Sequence, residues 1–241
     1  MTDSLRDITV TFEKLQSCDS AEAIFDVVDN YGKLLGFDVS ILAICGRLII
    51  KSESVPPFLT SASSEWVARY MALDLYSLDP ITHMAMRCCR PFTYEEAYLG
   101  PTPEVERYKR EATAHGLEFG WAVPVHKVGI APGIISYAGR SKVELSSTQA
   151  MHMAVIGMMA FERASEYFSE MVPELGMQLS DRERAVLTLV ARGKTNWEIG
   201  TVLSISEYSV RDYLKALSVK LRTSNRAHSV ARAMQLGLIV P

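Results

Sequence analysis

The stretch TNWEIGTVLSISEYSVRDYLKALSVKL, residues 195–221, decides the fold of the C-terminal part of the chain. Thr195, with Glu198 three residues later, forms a capping box, which marks the start of a helix. The segment Ser204–Ser206 interrupts the apolar spacing, and serine at 206 favours the N-cap of a second helix. We therefore predict two helices joined by a three-residue turn.

The second of these helices has an apolar face and a polar face. The apolar residues follow helical spacing and are Val210, Leu214, Leu217 and Leu221. The polar face carries Tyr208, Arg211, Asp212 and Lys215, with Ser209 beside them. This pattern is typical of a helix-turn-helix, whose second helix enters the DNA major groove. An ordinary helical hairpin with a solvated face is the alternative that this stretch alone leaves open.

Two further helices flank this stretch. Ser180 and Glu183 form another capping box, and Gly193 ends the helix that begins there. Downstream, Arg226–Leu236 has helical spacing of its apolar residues. Four helices within about sixty residues predict a compact bundle.

The C-terminal sequence resembles the DNA-binding domain of LuxR-type regulators. The positions that match the family pattern are Glu183, Leu187, Gly193, Lys194, Thr195, Ile199, Val210, Leu214, Lys220, Leu221, Asn225 and Arg226. Three positions depart from it: Ser204 replaces the usual Gly, Tyr213 a common His, and Arg211 the usual Lys. Arginine keeps the charge but adds a bidentate fork, so these departures bear on the preferred operator more than on DNA binding itself.

The resemblance implies a homodimer on double-stranded promoter DNA, with RNA polymerase as a further candidate partner. We expect the exposed face of the recognition helix to contact bases or phosphates through Tyr208, Ser209, Arg211 and Lys215. A second set, Lys194, Thr195 and Arg226, is expected to contact only the DNA backbone.

Composition and charge agree with a DNA-binding tail behind a separate body. The chain has 241 residues, 48% of them hydrophobic and 22% charged, which is ordinary for a soluble globular protein. Residues 179–241 hold ten Lys/Arg and five Asp/Glu, a net charge of +5. The rest keeps fifteen of the 25 basic and twenty-three of the 28 acidic residues, a net charge of −8. A basic module suits nucleic acid.

The sequence gives no sign of a membrane span or a secretory signal. No apolar run approaches the ~18 residues that a membrane helix needs, and the N-terminus is acidic without an apolar core. The four cysteines have no metal-site spacing, so we expect no metal site, reduced thiols and a cytoplasmic protein.

The preceding residues alternate between helical and strand patterns. The predicted helices are about Leu5–Gln16, Ala21–Leu35, Ser61–Asp74, Pro80–Arg87, Pro103–Gly116 and Ser147–Met171. The predicted strands are Phe37–Cys45, Leu48–Lys51, Phe119–Lys127 and Ile134–Ala138. Pro56–Pro57 and Gly129–Gly133 mark loops. We predict an α+β chain: an α-β-α sandwich with an antiparallel sheet over 1–171, a linker over 172–178, and the helix-turn-helix domain over 179–241.

The last helix of the sandwich is rich in methionine, at Met151, Met153, Met158 and Met159. Methionine adapts its shape, so such a helix can form a binding surface, although a core or a dimer interface is more common. In LuxR-type regulators this region contributes to homodimerisation, which the resemblance implies for this chain.

Trp66, Tyr70 and Asp79 are the candidate ligand-binding residues. Trp66 and Tyr70 lie one helical turn apart, so both side chains can reach one cavity, and Asp79 follows nine residues later. An indole N–H, a phenol and a carboxylate suit a small apolar ligand with two carbonyls and one amide N–H. The alternative is a pair of core aromatics, with Asp79 capping the helix that Pro80 opens.

The spacing Trp66-x3-Tyr70 followed by Asp79-Pro80 resembles the acyl-homoserine-lactone signature of LuxR-type sensor domains. The resemblance implies that Trp66 donates to the lactone carbonyl, Asp79 accepts from the amide N–H, and Tyr70 reaches the acyl carbonyl. Ser136 matches a position that often faces the acyl carbonyl. Two positions depart from the family: Tyr94 replaces a Trp near the lactone, and Ala62 stands where several members carry an aromatic residue. The ligand expected is an N-acyl-homoserine lactone, with no cofactor.

Three other functions compete with this one. A phosphorylation-driven regulator would need an acidic cluster and a phospho-accepting Asp at the end of a strand. Asp38 comes early in its predicted strand and has no such cluster. An enzyme is disfavoured because the five histidines are scattered: His83, His115, His126, His152 and His228. We therefore expect no catalytic residues. A ligand-independent regulator of the same family, or one that senses another small molecule, stays open.

Overall fold

The computed structural model describes residues 2–45, 58–100, 102–126, 132–171 and 177–239. They form two compact units, one ending at residue 171 and one beginning at residue 177. The predicted strand Leu48–Lys51, the Pro56–Pro57 loop, most of the Gly129–Gly133 loop and residues 172–176 of the predicted linker lie outside the described residues. The limits given above for the domains stay predictions.

The first unit is a five-stranded sheet between two layers of helices. Its helices are α1 (Thr2–Ser17), α2 (Ala21–Leu34), α3 (Ser64–Ala72), α4 (Pro80–Ala85), α5 (Tyr94–Ala97), α6 (Pro103–Ala114) and α7 (Ser147–Met171). Its strands are β1 (Val39–Ile44), β2 (Phe58–Thr60), β3 (Phe92–Thr93), β4 (Phe119–Val125) and β5 (Gly133–Gly139). All pairs in the order β2-β1-β5-β4-β3 are antiparallel, which confirms the predicted sandwich.

The two faces of the sheet carry different residues because side chains alternate along each strand. One face packs on α2 and α7. Gly32 of α2 approaches this face so closely that an added Cβ would lie 2.5 Å from Cδ1 of Tyr137. The other face includes Ile41, Ile134 and Ser136, and it is covered by residues of α3 to α6. The candidate ligand site lies on this second face.

Short elements account for most differences from the sequence prediction. β2, β3 and α5 have two to four residues and were not predicted, since so few residues show no periodicity. The helix predicted over Ser61–Asp74 is shorter, because Ser63 caps it and Leu73 ends it. The helix that Pro80 opens stops at Ala85, before the predicted Arg87.

The methionine-rich helix α7 is partly core and partly surface. Met153 is fully buried, whereas Met151 and Met158 are both more than half exposed. The helix therefore fills the core and also presents an apolar stripe. No helix among the described residues has the length and apolarity needed to cross a bilayer.

The second unit contains the four predicted helices. They are α8 (Asp181–Ala191), α9 (Asn196–Leu203), α10 (Glu207–Lys220) and α11 (Arg226–Gln235). Val186, Ile199, Val210 and Leu217 are fully buried in its core, as the apolar spacing predicted for Val210 and Leu217.

Candidate ligand pocket and DNA-binding surface

Helix α3 places Trp66 and Tyr70 on the same side. Ser63 caps the helix by accepting a 3.2 Å hydrogen bond from the Trp66 backbone N–H. The Trp66 ring is buried and packs edge-on against Tyr70, with 5.5 Å between ring centroids, and against Tyr108 at 6.3 Å. No described residue accepts a hydrogen bond from the Trp66 indole N–H, and Trp66 lines the cavity.

Asp79 caps helix α4 and also forms a hydrogen bond with a residue of helix α3. Its Oδ1 accepts the backbone N–H groups of Ile81 at 2.9 Å and Thr82 at 3.3 Å. Its Oδ2 accepts the hydroxyls of Tyr70 at 2.9 Å and Thr82 at 2.8 Å. Burial raises the pKa of Asp79, although the bonds from Thr82 and Tyr70 oppose that rise. The predicted cap is therefore present, and the same carboxyl group reaches Tyr70.

Tyr94 and Ser136 meet across the sheet surface. Tyr94 is the first residue of α5, Ser136 lies in β5, and both are buried. Their hydroxyl oxygens are 2.6 Å apart, and either can donate to the other. Burial raises the pKa of Tyr94 well above its usual value, so the phenol stays protonated at neutral pH.

All five predicted ligand-binding residues line a single cavity: Trp66, Tyr70, Asp79, Tyr94 and Ser136. The structure thus places the residues of three helices and one strand around one space. Most of the remaining wall is apolar and includes Ile41, Phe58, Val67, Ile81 and Ile134. A largely apolar cavity with a few fixed polar groups is the usual form of a small-molecule site.

Sequence reasoning missed several residues of this wall, among them Cys45, Thr82 and Tyr108. Thr82 had a usable signal, since the third helical residue after an Asp N-cap lies beside the cap. Tyr108 sits in a strongly charged helix, where a single aromatic residue gives no ligand signal. Cys45 follows β1 directly, and burial raises the pKa of its thiol.

The second unit has the backbone geometry of a helix-turn-helix. Helix α9 ends at Ser204, which adopts the left-handed conformation with φ 54° and ψ 47°. Ser206 then caps α10 by accepting a 3.0 Å hydrogen bond from the backbone N–H of Ser209. The three residues between the helices form the predicted turn.

The candidate base-contacting residues lie on the open side of α10. Tyr208 is 72% exposed, and Lys215 is exposed as well. Arg211 is exposed, but its guanidinium donates to Glu207 Oε1 at 2.7 Å, one turn earlier. Ser209 is half-buried, and its hydroxyl lies 2.8 Å from that of Ser206.

The three residues expected to contact the DNA backbone lie together at the start of α9. Thr195 caps that helix, and Lys194 Nζ donates to Glu198 Oε1 at 3.0 Å. The backbone N–H of Thr195 and the Lys194 ammonium lower the pKa of Glu198 to about 2. Arg226 donates to Asn196 Oδ1 at 2.9 Å and to the Lys194 carbonyl, which joins α9 to α11.

Comparison with protein families settles what kind of chain this is. Residues 20–164 match the autoinducer binding domain, and residues 177–233 match the family described as bacterial regulatory proteins, luxR family. The chain belongs to the LuxR family. It is a quorum-sensing transcriptional regulator with an autoinducer-binding domain and a helix-turn-helix domain, and its relatives are transcriptional regulators rather than enzymes.

Individual members of the LuxR family resemble this chain over most of its length. RpaR of Rhodopseudomonas palustris, a quorum sensing-dependent transcriptional regulator, is 29% identical over 211 residues, which cover 83% of this chain and 86% of RpaR. The activator LuxR of Aliivibrio fischeri is 24% identical over 234 residues, covering 94% and 92% of the two chains. The crystal structure of Escherichia coli SdiA has the same fold, with a TM-score of 0.71, 23% identity, and coverage of 97% of this chain and 98% of SdiA.

Proposed function

We propose that the autoinducer of this LuxR-family regulator is an N-acyl-homoserine lactone. The observation that carries this proposal is the meeting of Trp66, Tyr70 and Asp79 at one largely apolar cavity. In this proposal the Trp66 indole N–H donates to the lactone carbonyl, and Asp79 accepts from the amide N–H. The apolar wall encloses the acyl chain, and its burial contributes about 25 cal/mol per Å² of area removed from water.

The second part of the proposal concerns DNA. Ligand binding completes the core of the first unit, and the stabilised cytoplasmic protein dimerises on promoter DNA. A dimer places two recognition helices about 34 Å apart, one helical turn of DNA. The exposed apolar stripe of α7, which includes Met151 and Met158, supports a second copy as partner. RNA polymerase is a further candidate partner at the promoter.

The residues proposed to contact DNA divide into two groups. Tyr208, Ser209, Arg211 and Lys215 contact base edges or phosphates from α10. Lys194, Thr195 and Arg226 contact phosphates and fix the position of the domain without reading sequence.

The ligand assignment is tested by Trp66→Phe and Asp79→Ala. Losing one buried hydrogen-bond partner costs about 1–3 kcal/mol, so each variant should bind lactone about 5- to 150-fold more weakly. Isothermal titration with a panel of N-acyl-homoserine lactones measures this loss. The matched control is Trp121→Phe, because Trp121 does not line the cavity and donates instead to the Val143 carbonyl. If Trp66→Phe and Asp79→Ala bind as tightly as the wild type, this pocket is not the lactone site.

A different acyl compound is the second candidate ligand. SdiA, which shares the fold, has been solved in complex with octanoyl-rac-glycerol. The same titration with octanoylglycerol separates the candidates. Binding of octanoylglycerol without binding of any lactone favours a regulator that senses another molecule, and binding of neither favours a ligand-independent one.

A further inference from the structure

Asp212 lies on the exposed side of the recognition helix α10. The opposite side of this helix is buried in the core through Val210 and Leu217. At about 100° per residue, Asp212 is about 200° around the helix axis from Val210, and the residue is exposed. It shares this side with Tyr208 and Lys215, two of the residues proposed above to contact DNA. Its carboxylate therefore lies on the face that DNA would cover.

Asp212 differs from the other acidic residues of the second unit because no contact with a described residue accounts for its charge. Three ion pairs join Glu183 to Lys220 at 2.8 Å, Glu198 to Lys194 at 3.0 Å, and Glu207 to Arg211 at 2.7 Å. Asp181 lies in the first turn of α8, where the helix dipole favours a negative charge. Asp212 lies beyond the first turn of α10, and no ion pair or hydrogen bond joins its side chain to a described residue.

A carboxylate on this face opposes DNA binding unless the DNA supplies a hydrogen-bond donor. It repels the phosphates, whose attraction to basic side chains supplies most of the non-specific affinity. Aspartate also has a low helix propensity, so it does not stabilise the interior of α10. Phosphate oxygens only accept hydrogen bonds, and therefore a compensating donor can come only from a base edge.

The four bases differ in what they present to a carboxylate in the major groove. A carboxylate accepts hydrogen bonds and cannot donate them. Guanine presents the acceptors O6 and N7, and thymine presents the acceptor O4. Adenine presents its N6 amino group beside the acceptor N7, whereas cytosine presents only its N4 amino group. Cytosine is therefore the base that satisfies a carboxylate without placing an acceptor against it.

We propose that Asp212 selects a cytosine in the operator by accepting a hydrogen bond from its N4 amino group. The neighbouring basic residues Arg211 and Lys215 reduce the repulsion between this carboxylate and the phosphates. A homodimer repeats the contact, so the cytosine occurs at one symmetric position of each half-site. This inference rests on the proposed placement of α10 in the major groove, and it makes Asp212 a specificity-determining residue.

Selection of operators from random DNA tests the assignment. The full-length wild type is used without ligand, with a saturating N-acyl-homoserine lactone and with octanoylglycerol, so the selection does not depend on the ligand proposal. We expect a cytosine at one fixed position of each half-site. Replacing one such C·G pair should weaken wild-type binding about 5- to 150-fold, measured by fluorescence anisotropy at a single salt concentration.

Two variants of Asp212 should change this preference in different ways. In Asp212→Ala the preference at this position disappears, while the other positions of the half-site keep theirs. In Asp212→Asn it moves from cytosine toward adenine, because an amide can accept from N6 and donate to N7. Both variants keep the helix, since neither alanine nor asparagine has a lower helix propensity than aspartate. Asp181→Asn is the matched control: it removes the same charge from α8 and should leave every base preference unchanged.

An Asp212→Ala variant that prefers the same bases as the wild type at every position overturns the assignment. A tighter grip on all DNA alike would then show that Asp212 only repels phosphates. Arg211→Ala separates this failure from that of the proposed function. If Arg211→Ala loses operator binding while both Asp212 variants keep the wild-type preference, only the assignment to Asp212 is wrong. If neither residue affects the selected sequence, α10 does not read the operator and both proposals fail.

Discussion

Asp79 is the N-cap of a helix and also lines the candidate ligand cavity, and its two carboxyl oxygens have different partners. Oδ1 holds the backbone of Ile81 and Thr82, whereas Oδ2 receives two hydroxyl groups. Capping and ligand binding were competing interpretations of this residue in the sequence. At the residue scale the structure shows the cap on Oδ1 and places the same side chain in the cavity wall, so the cap is compatible with the proposed ligand contact.

The burial of Asp79 predicts a pH dependence of stability. Its pKa is raised by burial, whereas the unfolded chain titrates near the ordinary value of about 3.9. Between these two pKa values the folded state holds more protons, so stability falls as pH rises. We expect the wild type to lose free energy of unfolding relative to Asp79→Asn as the pH rises from below about 4 through the raised pKa. Above that pKa, the loss of free energy of unfolding relative to Asp79→Asn persists.

Urea unfolding of both proteins over the pH range measures this difference. The Asn variant is a matched comparison because its amide oxygen can still accept the two backbone N–H groups of α4. Parallel stability curves, or a wild type that gains stability relative to the variant with rising pH, would contradict the assignment of a raised pKa.

At the scale of elements, the turn between α9 and α10 carries a strained residue. Ser204 adopts the left-handed conformation, which costs a residue with a side chain about 1–2 kcal/mol relative to the right-handed one. Glycine avoids this cost but loses more backbone entropy on folding. The sequence has serine where the LuxR family usually has glycine, and the structure shows that this serine adopts the costly left-handed conformation.

We expect Ser204→Gly to raise the free energy of unfolding of the helix-turn-helix unit by about 0.5–1 kcal/mol. Thermal unfolding of the full chain measures it. Ser218→Gly, inside α10, is the control of opposite sign, since glycine within a helix destabilises by about 0.5–1 kcal/mol. Equal destabilisation by both variants would show that the turn conformation is not strained.

The limits of sequence prediction also appear at this scale. Long patterned segments such as α7 and α10 were predictable, because a buried stripe repeats several times along each. The strands Phe58–Thr60 and Phe92–Thr93 were not, because they exist through pairing with distant strands and not through local pattern. The hydrogen bond between Tyr94 and Ser136 joins residues 42 positions apart, which no local spacing reveals.

At the scale of the whole molecule, the autoinducer-binding domain and the helix-turn-helix domain belong to one regulator. The candidate ligand residues came from two sources. Spacing and side-chain chemistry brought Trp66, Tyr70 and Asp79 together, and resemblance to the LuxR family added Tyr94 and Ser136. The missed residue Tyr108 reaches the same cavity only through folding.

The affinity of the purified full chain for its operator, with and without a saturating N-acyl-homoserine lactone, tests the central claim most directly. The operator is first selected from random DNA by the lactone-bound wild type. The variant Arg211→Ala should lose its affinity for this operator while keeping its affinity for random DNA. Allosteric coupling is typically about 1–3 kcal/mol, so lactone should tighten operator binding about 5- to 150-fold in the wild type. Trp66→Phe should need a higher lactone concentration for the same effect. Equal operator affinity with and without every lactone in the panel would contradict the account.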